Sequence, residues 1–147
     1  MMLGAVVTAD GELRALHRTY LNTDGSGKAP VEPAKMTLGS LRGYSCHLGN
    51  VGEELAISEG IETGLSFQLA SGIPTWAALS TGGMRALLLP PMPLASFVTI
   101  AADADEQGLS AAEAAASRWR LEGRHVRIVT PPRAGSDFND MLLKAAL

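Results

Sequence analysis

Cysteine is nearly absent. Cys46 is the only one in 147 residues, which rules out an internal disulfide and a cysteine-rich zinc site. The adjacent Cys46-His47 pair is no ligand set either: neighbours on a strand point to opposite faces, and His17 and His125 are the only other imidazoles. The expectation there is a half-buried thiol beside a solvated imidazole. Long apolar runs are missing too. Even Met84 to Leu94 is broken by Arg85 and three prolines, so no membrane span is expected. The N-terminus lacks the basic-then-apolar pattern of a signal peptide, so the expected location is cytoplasmic, with no membrane partner. Nor is there an excess of positive charge. A net charge of −3 speaks against a protein that coats nucleic acid through its overall field, yet is compatible with an acidic metal centre. No internal repeat is visible. What is present, 46% hydrophobic and 18% charged residues, reads as a globular chain long enough to bury its own core.

The first third has the pattern of antiparallel β-structure. A β-prone run from Gly4 to Thr8, an Asp10-Gly11 turn signal and a second run to Leu21 predict a hairpin. Residues 22–35 form a Gly/Pro-rich loop. Its Gly27-Lys28 pair is no P-loop, because Asn22 stands where the first glycine belongs and Ala29 where Ser/Thr would hold magnesium. Lys28 and Lys35 remain as loop lysines within reach of a phosphate. One or two further strands are expected over 36–49. After Asn50 strands and helices alternate, which is the signature of a parallel sheet with crossover helices. Strands are predicted over 55–58, 75–79, 96–102 and 125–130. Helices are predicted over 61–71, from Ser80 through Leu89, from a Ser110/Glu113 capping box to Gly123, and from Asp137 to Leu147. The expected organisation is a small β-rich segment over residues 1–50 and an α/β domain over 51–147.

The chemistry-bearing residues fall at predicted strand ends. The run Ser96 to Gly108 ends an apolar strand with Asp103 and Asp105, and Glu59 follows the strand at 55–58. Open α/β sheets bind ligands in the crevice beyond the carboxyl ends of their strands. With strands ~4.8 Å apart, side chains of neighbouring strand ends can reach one ion. Carboxylates gathered there repel one another unless a cation or shared protons compensate, and magnesium accepts one or two carboxylates together with water and substrate phosphates.

Leu-Ala-Ile-Ser-Glu59-Gly60, the Asp103-Ala-Asp105-Glu-Gln-Gly108 block and the length between them resemble a Toprim domain, the catalytic domain of bacterial-type DNA primases, topoisomerases and some nucleases. More narrowly, Glu59-Gly-Ile-Glu62-Thr, Ser80-Thr-Gly-Gly83 and Asp137-Phe-Asn-Asp140 are similar to Toprim domains of phage- and plasmid-type primases and primase-helicases, proteins of mobile elements. Arg18-Thr-Tyr-Leu and Gly25-Ser-Gly-Lys28-Ala resemble the segment that precedes Toprim in those proteins. The resemblance implies a Rossmann-like four-stranded, mainly parallel sheet with helices on both faces, preceded by the small β-rich segment. It implies a DNA primase-type nucleotidyltransferase that makes RNA primers on single-stranded DNA during replication, using Mg2+ or Mn2+ and ribonucleoside triphosphates. Zinc-binding and helicase modules, in the same or a partner protein, would complete it. Glu59, Asp103 and Asp105 match the catalytic and metal-holding acids, with Glu59 as ligand or proton acceptor. Asp137 and Asp140 match a later acidic motif near the metals, and Arg18 and Lys28 match positions that touch template or nucleotide phosphate. The alternatives are Toprim nuclease or topoisomerase strand cleavage, or a non-catalytic nucleic-acid-binding module.

Other features have structural readings. Glu62 fits a first-turn helix acid, and Asp137 and Asp140 fit an N-cap spacing as well as a metal contact. With Ser110 as the helix cap, Asp105 is left without a structural task. Arg118, Arg120, Arg124 and Arg127 read as a solvated cluster favoured by a helix C-terminus, and Trp119 as core. Tyr20 and Tyr44 lie in the β-rich segment, away from where a topoisomerase nucleophile would be needed.

Overall fold

Strand propensity at the N-terminus produces the predicted hairpin. In the computed structural model, which describes residues 1–131 and Phe138, β1 (Met2–Val7) and β2 (Leu13–Thr19) pair antiparallel, Gly4 opposite His17 and Ala5 opposite Leu16. The turn takes a left-handed residue at Gly11, φ 93°, and the Thr8 and Glu12 backbones close it. The loop that follows folds back so that Lys28 bridges to Leu21, with the Ser26 amide donating to the Asp24 carboxylate at 3.0 Å. Strand β3 (Lys35–Gly39) joins the outer side of β2, and β4 (Ser45–His47) the other side of β1.

The second part is the parallel unit the alternating pattern predicts. Strands β5 (Glu54–Ser58), β6 (Thr75–Ala77), β7 (Phe97–Ala101) and β8 (His125–Val129) run parallel in the order β6-β5-β7-β8. Helices α1 (Ile61–Ser71), α2 (Thr81–Ala86) and α3 (Glu106–Leu121) connect them. The chain moves to one side of β5 and then back across it, and right-handed crossovers taken in opposite directions put helices on opposite faces. Strand alternation matches. Leu55, Ile57, Val98 and Ile100 pack with α2 and α3, whereas Ala56 and Ala101 pack with Phe67 of α1. Gly64 lets α1 lie this close, since a Cβ there would meet Ser58 Oγ at 2.5 Å. On α3 the fully buried Ala111, Ala112, Ala115 and Ala116 give a flat contact surface, with Trp119 filling its end at 0% exposure. β4 pairs antiparallel with β6, so the β-rich segment and the parallel unit share one eight-stranded sheet. Among the described residues no helix is long and apolar enough to cross a membrane.

Five local expectations are corrected. Helix α3 begins at Glu106, not Ser110, and its N-cap is Asp105, whose Oδ1 accepts the Gly108 amide at 2.7 Å; aspartate caps as well as serine, and the earlier cap prevails. Helix α2 stops at Ala86 and β6 at Ala77, the latter because Leu79 turns away with φ 70°. The His47 imidazole is not solvated. It stacks on Trp76 at 3.6 Å between centroids, and burial lowers its pKa to about 4; the Cys46 thiol is buried and pushed up by the same cause. The arginine cluster is solvated only in part: Arg120 and Arg127 are exposed as expected, Arg118 is half-buried and Arg124 is buried. Arg124, 6% exposed, donates to the carbonyls of Pro90, Leu94 and Ala95 at 2.6, 2.7 and 2.9 Å. Arg118 reaches Leu87 O at 2.6 Å, Arg120 Val126 O at 3.0 Å and Arg127 Thr99 Oγ1 at 2.7 Å. Backbone carbonyls without a strand or helix partner, such as those of Pro90 and Leu94, are what guanidinium forks satisfy. The predicted helix from Asp137 to Leu147 lies outside the described residues apart from Phe138, whose ring meets Phe67 edge-on at 5.2 Å.

Candidate functional site

Strand order decides which acids meet. β5 and β7 are direct neighbours, with Ser58 level with Ala101, so Glu59 and Asp103 emerge side by side at the carboxyl end of the sheet. The turn after β5 is fixed from both sides. Leu79 N donates to Glu59 O at 2.7 Å, and Ser58 Oγ donates to Gly60 O at 2.9 Å. Gly60 has φ −98°, extended backbone open to any residue, so a tight turn is not its reason for being glycine. Gly108 is different: a Cβ there would come within 2.8 Å of Asp103 O and 3.2 Å of Asp105 Oδ1. Its missing side chain lets the first turn of α3 close against the acidic loop.

Glu59 and Asp103 line one cavity of about 780 Å³. Its far wall comes from the β-rich segment: Gly25 to Lys28 and Lys35. Lys35 Nζ lies 3.3 Å from Glu62 Oε2, in the first turn of α1. Burial, then the charges of Asp103 and Asp105, push the Glu59 carboxyl above its usual range, with Lys35 pulling the other way. Glu62 goes down: burial opposes ionisation, but a hydrogen bond from its own backbone and the ammonium groups of Lys35 and Lys28 outweigh it. The crevice therefore has a carboxylate wall and a lysine wall.

The sequence-predicted residues divide accordingly. Glu59, Asp103 and Lys28 are brought together. Asp105 is close enough for its charge to act on Glu59, but it does not line the cavity, and one of its oxygens caps α3. Arg18 is not brought in. It sits opposite Leu3 and Met36 on the sheet face away from Met2 and Thr19, and Met2 is the cavity-lining residue. Asp137 and Asp140 lie outside the described residues. Two contributors escaped the sequence reading in part. Lys35 was one of two loop lysines with no partner to single it out, and Glu62 read as a helix-turn acid; only the pairing of Lys35 with Thr19 across β2 and β3 brings the two together.

The donor set suits a hard cation. The groups on the carboxylate wall are oxygen acids, and the charges of Asp103 and Asp105 already act on Glu59. Among the described residues no three His, Cys, Asp or Glu side chains are grouped closely enough to hold an ion by themselves. Magnesium keeps several waters and takes one or two carboxylates plus phosphate oxygens, a set to which Glu59 and Asp103 would contribute the carboxylates. A second cavity of about 440 Å³, lined by Phe97, Arg120 and Arg127 among others, opens where β5, β7 and β8 begin and takes no part in this arrangement.

These features define a class: an α/β chain with its acids in the crevice at the carboxyl ends of parallel strands. The Toprim domain family matches residues 54–146, and the chain belongs to that family. Residues 1–48 match a domain family of unknown function. Among solved structures, a DNA primase domain from Pseudomonas aeruginosa is similar with TM-score 0.58 and 14% identity, over 97% of this chain and 46% of that one. The zinc-binding and RNA polymerase domains of Aquifex aeolicus primase give TM-score 0.61 and 17% identity, over 97% and 36%. A DnaG primase catalytic domain bound to single-stranded DNA gives 0.62 and 16%, over 97% and 48%. At these identities the likeness is one of fold, and the chain spans less than half the length of these structures. No curated protein matches in sequence.

Proposed function

We propose that this chain is the catalytic core of a DNA primase-type nucleotidyltransferase, making RNA primers on single-stranded DNA from ribonucleoside triphosphates. The observation that carries the reading is the cavity itself, with Glu59 and Asp103 on one wall and Lys28 and Lys35 on the other. In the reaction, the 3′-oxygen of the growing strand forms a bond to the α-phosphorus of the incoming nucleotide. The bridging bond to the β-phosphate breaks, and pyrophosphate leaves with that electron pair. Glu59 and Asp103, with Asp105 beside them, would hold magnesium or manganese. When bound, that ion lowers the pKa of the attacking hydroxyl and neutralises charge on the in-line transition state. Glu59 would serve either as a ligand of that ion or, if it stays outside the coordination shell, as the acceptor of the hydroxyl proton. Lys28 and Lys35 take the phosphate chain as point charges.

The similarity to a DnaG domain bound to single-stranded DNA supports the template class. The zinc-binding domain in the Aquifex aeolicus structure supports a further module for this chain. In this reading residues 1–50 are the segment supplying the lysine wall and 51–147 the catalytic domain. A topoisomerase reading would need a tyrosine nucleophile from another domain, since neither Tyr20 nor Tyr44 lines the cavity. The test is primer synthesis on a single-stranded template with ribonucleotides and Mg2+ or Mn2+, comparing wild type with Asp103→Asn. Wild type is expected to incorporate label and the variant to lose at least about 100-fold. Equal incorporation by both overturns the assignment, and plasmid nicking without incorporation turns it to nuclease chemistry.

A further inference from the structure

We propose that Glu62 is a positioning residue, holding the Lys35 ammonium over the cavity where the phosphate chain of a nucleotide enters. This rests on the reading of the cavity as a nucleotide site. Lys35 opens β3, and its register with Thr19 places it at the cavity rim. Its flexible four-carbon stem would leave the charge free to sample many rotamers. The contact with Glu62 Oε2 at 3.3 Å fixes it, and both side chains are only about one third exposed, 37% and 33%. Glu62 is not the N-cap of α1, which is Gly60; besides Lys35 it meets its own backbone amide in the first turn. Against its burial, a hydrogen bond from its own backbone and then the charges of Lys35 and Lys28 favour the ionised form. An ammonium carries three donors, so Lys35 keeps one on Glu62 while offering another to a phosphate oxygen. Ordering the lysine before the ligand arrives removes part of the entropy that binding would otherwise cost. Lys28, on the same wall, offsets the repulsion between Glu62 and the incoming anion.

The experiment is a double-mutant cycle of Glu62→Gln and Lys35→Ala, read as nucleotide KM and kcat in primer synthesis. Glu62→Gln is expected to raise KM about tenfold with kcat within about twofold, and to add nothing in the Lys35→Ala background. Additive effects, or a KM unchanged or lowered in Glu62→Gln, overturn the proposal. Calorimetric binding of inorganic triphosphate to the same four proteins, without divalent cation, separates the two readings. Coupled losses of triphosphate affinity in a chain that makes no primers leave Glu62 as the positioning residue and remove the polymerase reading. Active synthesis with uncoupled losses does the reverse.

Discussion

At Asp105 one carboxylate oxygen is already committed to the Gly108 amide, while the charge of the group still acts on Glu59. The two roles come apart by substitution. Asp105→Ala is expected to lower stability by about 1 kcal/mol through the lost cap, and Asp105→Asn to keep it, as read by urea denaturation. Loss of synthesis in the stable Asp105→Asn variant then reports the charge alone. Glu59 behaves differently. Its folded pKa lies above the ordinary value, so the folded chain binds the proton more tightly than the unfolded one. That contribution is present at low pH and is lost as pH rises through the raised value. Glu59→Gln is therefore expected to raise Tm at neutral pH in chelator, to gain nothing below the ordinary glutamate range, and to abolish synthesis; thermal melts across pH check it. The acids themselves were legible because each follows a short apolar run. The task of Asp105 was not, because Ser110 and Glu113 form an equally good capping pattern five residues on, and local pattern does not rank two valid starts of one helix.

At the scale of elements, strand and helix identity followed the sequence closely. Ile61–Ser71 is bounded as Gly72 and Pro74 suggest, with Gly72 left-handed at φ 73°. What the chain order left open was the distant partner each element meets. Arg124, next to the Gly123 stop of α3, looked like a dipole-favoured surface cation. It is instead the clamp on the segment entering β7, through carbonyls some thirty residues earlier in the chain. Arg124→Ala leaves three carbonyls without their donor, two of those hydrogen bonds being buried, and is expected to destabilise the fold by about 3 kcal/mol. Chemical denaturation measures this. Triphosphate binding at the distant cavity, under conditions where the variant is folded, is expected to stay at the wild-type level.

At the scale of the whole molecule, the β-rich segment and the parallel unit share a sheet and a cavity. β6 is paired on both sides, by β4 and β5, and the lysine wall stands on the segment before Asn50. A chain of residues 51–147 is therefore expected to lose triphosphate binding and primer synthesis and to self-associate through the bared edge of β6; calorimetry and light scattering against the full chain test this. The change of texture at Asn50 was visible in composition and alternation. That both sides of it would complete one sheet was not, since a three-residue strand such as Ser45–His47 carries almost no periodic signal.

Strand order also governs the time course of folding. The β1-β2-β3 pairs and the β1-β4 pair can close early, whereas the outer edge of β4 waits for β6, and β5 is flanked by two strands that both follow it in the chain. Non-local pairing of this kind slows folding. During synthesis the β-rich segment thus stands ready with an open flank, and the cavity comes into being only when β7 has paired with β5 and brought Asp103 beside Glu59.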